Sequence, residues 1–246
     1  MVGEYQIGMM LASGLCRAER EDPITPEWRI SEAAIPSPEA VAAMEERVRL
    51  IRQEGAPELV WLLEHPPLYT AGTSADPREL GDPGLLPVYP SGRGGRYTYH
   101  GPGQRIAYVM LDLKRRGPDI RRYVHDLESW IIAVLGRFGV TGERRTGRIG
   151  IWVDRSHLGG LPGQEDKIAA IGVRVRSWVS FHGLSLNVDP DLRHYAGIIP
   201  CGIADRGVTS LHDLGHFIAM PEIDSAFKAT FDEIFNPQAR AQSRPF

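Results

Sequence analysis

Lys167-Ile168-Ala169-Ala170-Ile171-Gly172-Val173-Arg174-Val175-Arg176-Ser177-Trp178-Val179-Ser180-Phe181-His182-Gly183-Leu184-Ser185-Leu186-Asn187-Val188 is the stretch that decides the fold class. It reads as two successive strands, 168–175 and 178–188. Another strand is expected at 149–153 and, before it, a helix over 119–138. Ile120, Tyr123, Val124, Leu127, Trp130, Ile131, Val134, Leu135 and Phe138 keep the helical period there, and Gly139 ends it. Further out, Leu59-Val60-Trp61-Leu62-Leu63 is a continuous apolar run, the mark of a strand buried on both faces, closed by His65-Pro66-Pro67. Strands are also expected at 28–34 and 105–113. Ser37-Pro38-Glu39 reads as a helix start, with Ser37 as the cap and Pro38 in the first helical position, and that helix stops near Gly55. A last helix runs over about 221–235. Residues 70–95, dense in Gly, Pro, Ser and Asp, read as mostly loop. Strands and helices interleave along the whole length, which predicts a single α/β (α+β) domain over 26–236. Residues 1–25 form an N-terminal extension and 237–246 a tail in this reading.

The balance of 28 basic against 31 acidic residues gives no global argument for binding nucleic acid or membranes. Only two cysteines occur, Cys16 and Cys201, too few for a disulfide scaffold and without zinc-site spacing. A reducing, cytoplasmic setting follows. Residues 7–16 are mildly apolar but lack a basic leader, and Leu15 stands where a lipoprotein box has a small residue. No run approaches transmembrane length.

Four constellations could carry chemistry. Cys201 lies in Ile199-Pro200-Cys201-Gly202, a setting that suits a thiol that must meet a substrate. The thiolate is the nucleophile, so a nearby cation would raise its fraction. A lone cysteine can equally be a small buried core residue. Lys167 opens an apolar strand, where it is either a solvated strand end or a base. The second constellation is Ser91-Gly92-Arg93-Gly94-Gly95-Arg96-Tyr97-Thr98-Tyr99-His100-Gly101-Pro102-Gly103-Gln104, five glycines in fourteen residues. Such a backbone can approach a ligand closely, yet no Gly-Lys-Ser/Thr makes it a P-loop, and a plain hairpin explains it too. In the third, His182-Gly183 interrupts strand alternation and suggests a bulge or a close backbone approach. In the fourth, His212 and His216 have the i, i+4 spacing of a zinc helix, but Asp213 replaces the usual glutamate, Gly215 weakens the helix and no third ligand is evident. Between Arg93 and Arg148 twelve basic residues face five acidic ones. A solvated face is the default explanation, and docking of an acidic or phosphate-bearing partner the sharper one.

Taken together, the chain resembles the lipoyl(octanoyl) transferases over roughly 61–211. The resemblance rests on five motifs in order: Glu64-His65-Pro66-Pro67 with Tyr69-Thr70; Arg93 through Gln104; Lys167-Ile168-Ala169 with Gly172; Phe181-His182-Gly183-Leu184 with Leu186-Asn187; and Ile199-Pro200-Cys201-Gly202. It implies a mixed β-sheet flanked by helices, the fold shared with biotin and lipoate protein ligases. It implies octanoyl transfer from acyl carrier protein to a lysine of lipoyl domains, including those of 2-oxoacid dehydrogenase complexes and the glycine cleavage H protein. Cys201 would carry the acyl thioester, and Lys167 would lower the thiol's pKa and relay protons. Arg93, Gly94, Gly95, Arg96, Tyr97, Thr98, Tyr99 and His100 would line the acyl site with Ala170, Ile171, Gly172, Gly183, Leu184 and Ser185. No cofactor and no metal is implied, and a monomer is expected. Backbone N–H groups at Cys201-Gly202 or His182-Gly183 are candidates to stabilise an oxyanion. The chain departs from the family pattern at Arg96-Tyr97, Ala170 and Thr73, which leaves substrate contacts open. The rival readings are an ATP-dependent lipoate or biotin ligase, a non-catalytic binder of carrier or lipoyl domains, and a zinc hydrolase built on His212 and His216.

Overall fold

The computed structural model describes residues 25–82, 84–156, 163–198 and 207–236. Its centre is an eight-stranded mixed sheet. In chain order its strands are β1 (Glu27–Ile30), β2 (Leu59–Leu63), β6 (Gln104–Met110), β7 (Glu143–Arg145), β8 (Arg148–Asp154), β9 (Glu165–Arg176), β10 (Val179–Asn187) and β11 (Gly207–Val208). Across the sheet the order is β1-β2-β6-β10-β9-β8-β7. Pairings along this path are antiparallel except β1 with β2. A second sheet has the order β4-β3-β5, from β3 (Leu68–Ala71), β4 (Val88–Pro90) and β5 (Tyr97–His100).

The helices α1 (Ser37–Glu54), α2 (Leu113–Arg116), α3 (Ile120–Gly136) and α4 (Met220–Phe235) complete the fold. Alternation along the central strands sorts side chains to two faces. On one face Trp61, Leu63, Ile106, Met110 and Phe181 pack against Ala40, Met44 and Val48 of α1. On the other, Val60, Leu62, Val109, Ile168 and Leu186 pack against Leu127, Ile131 and Val134 of α3 and Phe227 and Phe231 of α4. Trp130 joins α3 to α4, its indole donating to the Phe227 carbonyl at 3.0 Å. Two cores on one sheet explain why β2 is buried along its whole length.

The expected elements are present, with differences at their edges. Pro36, not Ser37, occupies the cap of α1, and no side chain caps it. The first helical bond is made already by Ala40 to the Pro36 carbonyl, so Ser37 is inside the first turn and buried. Gly55 ends the helix at φ +66°, as its place in the sequence suggested. Asp119 caps α3 through the Arg122 N–H. Ile120 breaks the period, being 45% exposed, because the first turn overhangs the core. The interval 70–95 is less irregular than its composition suggests, since it holds β4 and a 3-10 turn over Pro77–Glu79.

Candidate functional site

A cleft, partly open to solvent, lies between the central sheet, the small sheet and the start of α1. Its lining brings together most of the residues singled out in the sequence. Arg93, Gly95, Arg96, Tyr97, Thr98 and His100 come from the glycine-rich loop and β5, Ala170, Ile171 and Gly172 from β9, and Gly183, Leu184 and Ser185 from β10. Gly94 and Tyr99 do not line it. Gly94 instead ties the loop to β9, its N–H donating to the Val173 carbonyl at 2.9 Å. Tyr99 packs in the small core with Tyr69 and Tyr97.

Glycine is required where backbones nearly touch. A Cβ on Gly172 would lie 2.8 Å from Arg93 Cδ, and one on Gly183 only 2.1 Å from the Ala107 carbonyl oxygen. The expected close approach at His182-Gly183 is therefore real, and β10 to β9 pairing runs through it without a register shift. The distortion sits in His182, whose φ is +59°. The His182 N–H donates to Met44 Sδ at 3.3 Å, which removes it as an oxyanion donor. Arg93 is buried and works as a latch. Its guanidinium donates to the Thr70 carbonyl and hydroxyl and to the Gly94 and Arg96 carbonyls, closing the loop on itself. Arg96 pairs with Glu79.

Lys167 lies just beyond the cleft lining, on the face that carries it, and a bulge puts it there. Ile151 pairs with Ala169 but Trp152 pairs with Lys167, so β9 holds one extra residue. Ile168 and Ala169 consequently both enter the α3/α4 core, and Lys167 turns to the opposite face with Ala170 and Gly172. Strict alternation would have aimed it into the core. The side chain is 7% exposed, and its Nζ sits 5.5 Å from the Trp152 ring centroid. Gly150, at φ +120°, leaves the room it occupies, since a Cβ there would come within 2.5 Å of Lys167 Cε. Val208 of β11 pairs with Lys167 from the other edge, filling the length of β9 that β10 leaves. Cys201 falls outside the described residues. The described residues on either side of it are Ile198, bridged to Leu80, and Gly207, paired with Asp166.

A buried hydrogen-bond network links the cleft to both of these flanking segments. His100 Nδ1 donates to Gln104 Oε1 at 2.7 Å, and Gln104 Nε2 donates to Asn187 Oδ1 at 2.9 Å. Asn187 Nδ2 donates to the Thr209 carbonyl, and Tyr195 OH to Asn187 Oδ1. Tyr195 belongs to the 3-10 turn Leu192–Gly197, which precedes Ile198.

The sequence reading missed the inner wall. His65 Nδ1 lies 2.5 Å from the Ile35 carbonyl and must donate to it, so its Nε2 accepts from Tyr108 OH at 2.7 Å. Tyr108 is edge-on to His182, and His65 is edge-on to His100. All three histidines are held below the usual imidazole range, burial being the first cause, and His182 falls to about 4. They are neutral at pH 7. His65-Pro66 was noticed as a strand end and motif, but Tyr108 sits in an apolar run with no local signal. Ser37, Val41, Thr70 and Ile106 also line the cleft unforeseen.

Part of the basic excess at 93–148 stays open, since Lys114, Arg115, Arg121 and Arg122 are exposed along α2 and the start of α3. Other members are paired: Arg116 with Glu58 and Arg105 with Asp224 in buried pairs, Arg144 with Glu128 and Arg145 with Glu143 and Glu165 in partly exposed ones. His212 and His216 lie around a turn rather than a helix, with Gly215 at φ +85°. His212 faces Asp189 at 3.1 Å, and no group of three metal-ligating side chains occurs among the described residues. Among those residues no helix is long and apolar enough to cross a membrane.

The architecture is that of the lipoate-ligating enzymes. A bipartite lipoate protein ligase of Thermoplasma acidophilum superposes with a TM-score of 0.63 over 85% of this chain and 84% of its own, at 16% identity. A lipoate-protein ligase A solved with ATP does so with 0.63 over 85% of each chain, also at 16% identity. Residues 36–232 match the lipoyl protein ligase A/B catalytic domain. The octanoyltransferase of Paramagnetospirillum magneticum is 68% identical over 85% of this chain and 96% of its own length, and that of Parvibaculum lavamentivorans 63% identical over 85% and 92%. The chain belongs to the octanoyltransferases of this family, and it is an acyltransferase.

Proposed function

We propose that the protein transfers an octanoyl group from the thioester of an acyl carrier protein to a lysine amine of a lipoyl domain, through a thioester on Cys201. The observation that carries this reading is the bulge in β9, which turns Lys167 onto the cleft face beside β11, the strand that follows the Cys201 segment. In the first half-reaction the Cys201 thiolate, paired with the Lys167 ammonium, attacks the donor carbonyl, and the carrier sulfur leaves as a thiol by taking the ammonium's proton, which leaves Lys167 neutral. In the second, the lipoyl-domain amine attacks the Cys201 thioester. An amide forms, Cys201 leaves as the thiolate, and the amine's proton passes to the neutral Lys167 amine, restoring the starting ion pair. Exchange between thioesters is nearly balanced and aminolysis runs downhill, so the reaction needs no ATP. The walls fit the acyl chain: Val41, Ile106, Tyr108 and Leu184 are apolar or aromatic, His100 and His182 are uncharged at pH 7, and so is His65 behind Tyr108 and His100. A cytoplasmic location suits a chain with only two cysteines.

The test offers purified lipoyl domain two donors in parallel, octanoyl-carrier protein alone and octanoate with ATP. The reading expects octanoyl-lysine on the lipoyl domain, seen by mass, from the first donor only. Product from octanoate and ATP would establish a ligase instead.

A further inference from the structure

His182 carries two unfavourable features at once. It is a non-glycine residue in the left-handed region, at φ +59°. Its Nε2 is buried with no hydrogen-bond partner. Both are costly, the first as backbone strain and the second as an unsatisfied buried polar atom. Strain of this kind persists where it serves a site. The ring lines the cleft and is held firmly there. It stacks on Phe181 with centroids 5.2 Å apart, meets the edge of Tyr108 at 5.9 Å, and its backbone is tied to Met44.

Its position along the cleft follows from register. His182 pairs with Val173, six residues along β9 from Lys167, or roughly 20 Å at the strand rise. Ala170, Ser185, Gly172 and Gly183 lie between. On the reading given above, on which this inference rests, the reacting carbonyl lies toward Lys167 and the alkyl tail runs toward His182.

We propose that the His182 imidazole is the end wall that sets the longest acyl chain the cleft accepts. A longer tail has to displace a ring braced by Phe181, Tyr108 and the backbone. The tail also cannot offer Nε2 the partner it lacks. The residue acts on chain length and takes no part in acyl transfer itself.

The test measures kcat/KM for octanoyl-, decanoyl- and dodecanoyl-carrier protein with the wild type, His182→Ala and His182→Asn. Asparagine tolerates the left-handed backbone and guards against a misfolded alanine variant. The wild type is expected to lose roughly tenfold or more per pair of added methylenes beyond the limit. Both shortened side chains are expected to raise the dodecanoyl-to-octanoyl ratio about tenfold or more. A flat wild-type profile, or an unchanged ratio in the folded variants, overturns the end-wall assignment alone. No transfer by the wild type at any length overturns the functional reading and the assignment with it.

Discussion

Three imidazoles buried in neutral form around one cleft make stability depend on acid. His182 drops from 6.5 to about 4 on folding, and His65 and His100 also move down, burial being the first cause each time. The unfolded chain therefore binds more protons between pH 6.5 and 4, and stability falls as pH falls through that window. Above pH 6.5 the full contribution is present, and below the folded pKa values it is lost. Asp224, whose carboxyl burial raises, works in the opposite sense, one group against three. His182 alone accounts for about 3 kcal/mol across the window. Urea midpoints measured from pH 7 to 4 should fall, and His182→Asn should flatten the slope by about one proton. An equal slope in the variant would remove His182 from this account.

At the scale of elements, the close approach of β10 to β6 is the feature the cleft depends on. Gly183 faces Tyr108 in the register, and its missing Cβ would meet the Ala107 carbonyl at 2.1 Å. Backbone cannot swing aside as a side-chain tip can. Gly183→Ala should therefore cost more than about 2 kcal/mol and shift the urea midpoint down accordingly. Gly136→Ala has open space around its new methyl and should be neutral or stabilising. Equal midpoints for the two variants would contradict the packing described here. The glycines were legible in the sequence as places of close approach, because alternation broke at His182-Gly183. What each approached was not legible, since the partner strand lies far away in the chain. The bulge at Ile168 was hidden for the same reason: Ile-Ala-Ala-Ile reads as plain strand, and only pairing with β8 shows the extra residue that turns Lys167. The Ser37 cap was misplaced by one residue because Ser-Pro-Glu fits either register of a helix start.

For the whole molecule, the interleaved strands and helices gave the mixed α/β (α+β) class, and the five ordered motifs gave the family. Three of these motifs, at 93–104, 167–172 and 181–187, meet at one cleft because β5, β9 and β10 come together there. The basic run at 93–148 divides in space: some of it is taken up in ion pairs, while Lys114, Arg115, Arg121 and Arg122 stay exposed along α2 and the start of α3. Charge in sequence says nothing about partners across the fold, and Arg116 and Glu58 find each other as a buried pair 58 positions apart. Cys201 lies outside the described residues, so its role is a matter for chemistry. The most direct measurement is intact mass of the protein after mixing with octanoyl-carrier protein in the absence of acceptor. The account predicts one added octanoyl group, released by hydroxylamine, absent in Cys201→Ala and chased to the lipoyl domain when acceptor is added. No adduct under single-turnover conditions, or an adduct that survives in Cys201→Ala, would contradict it.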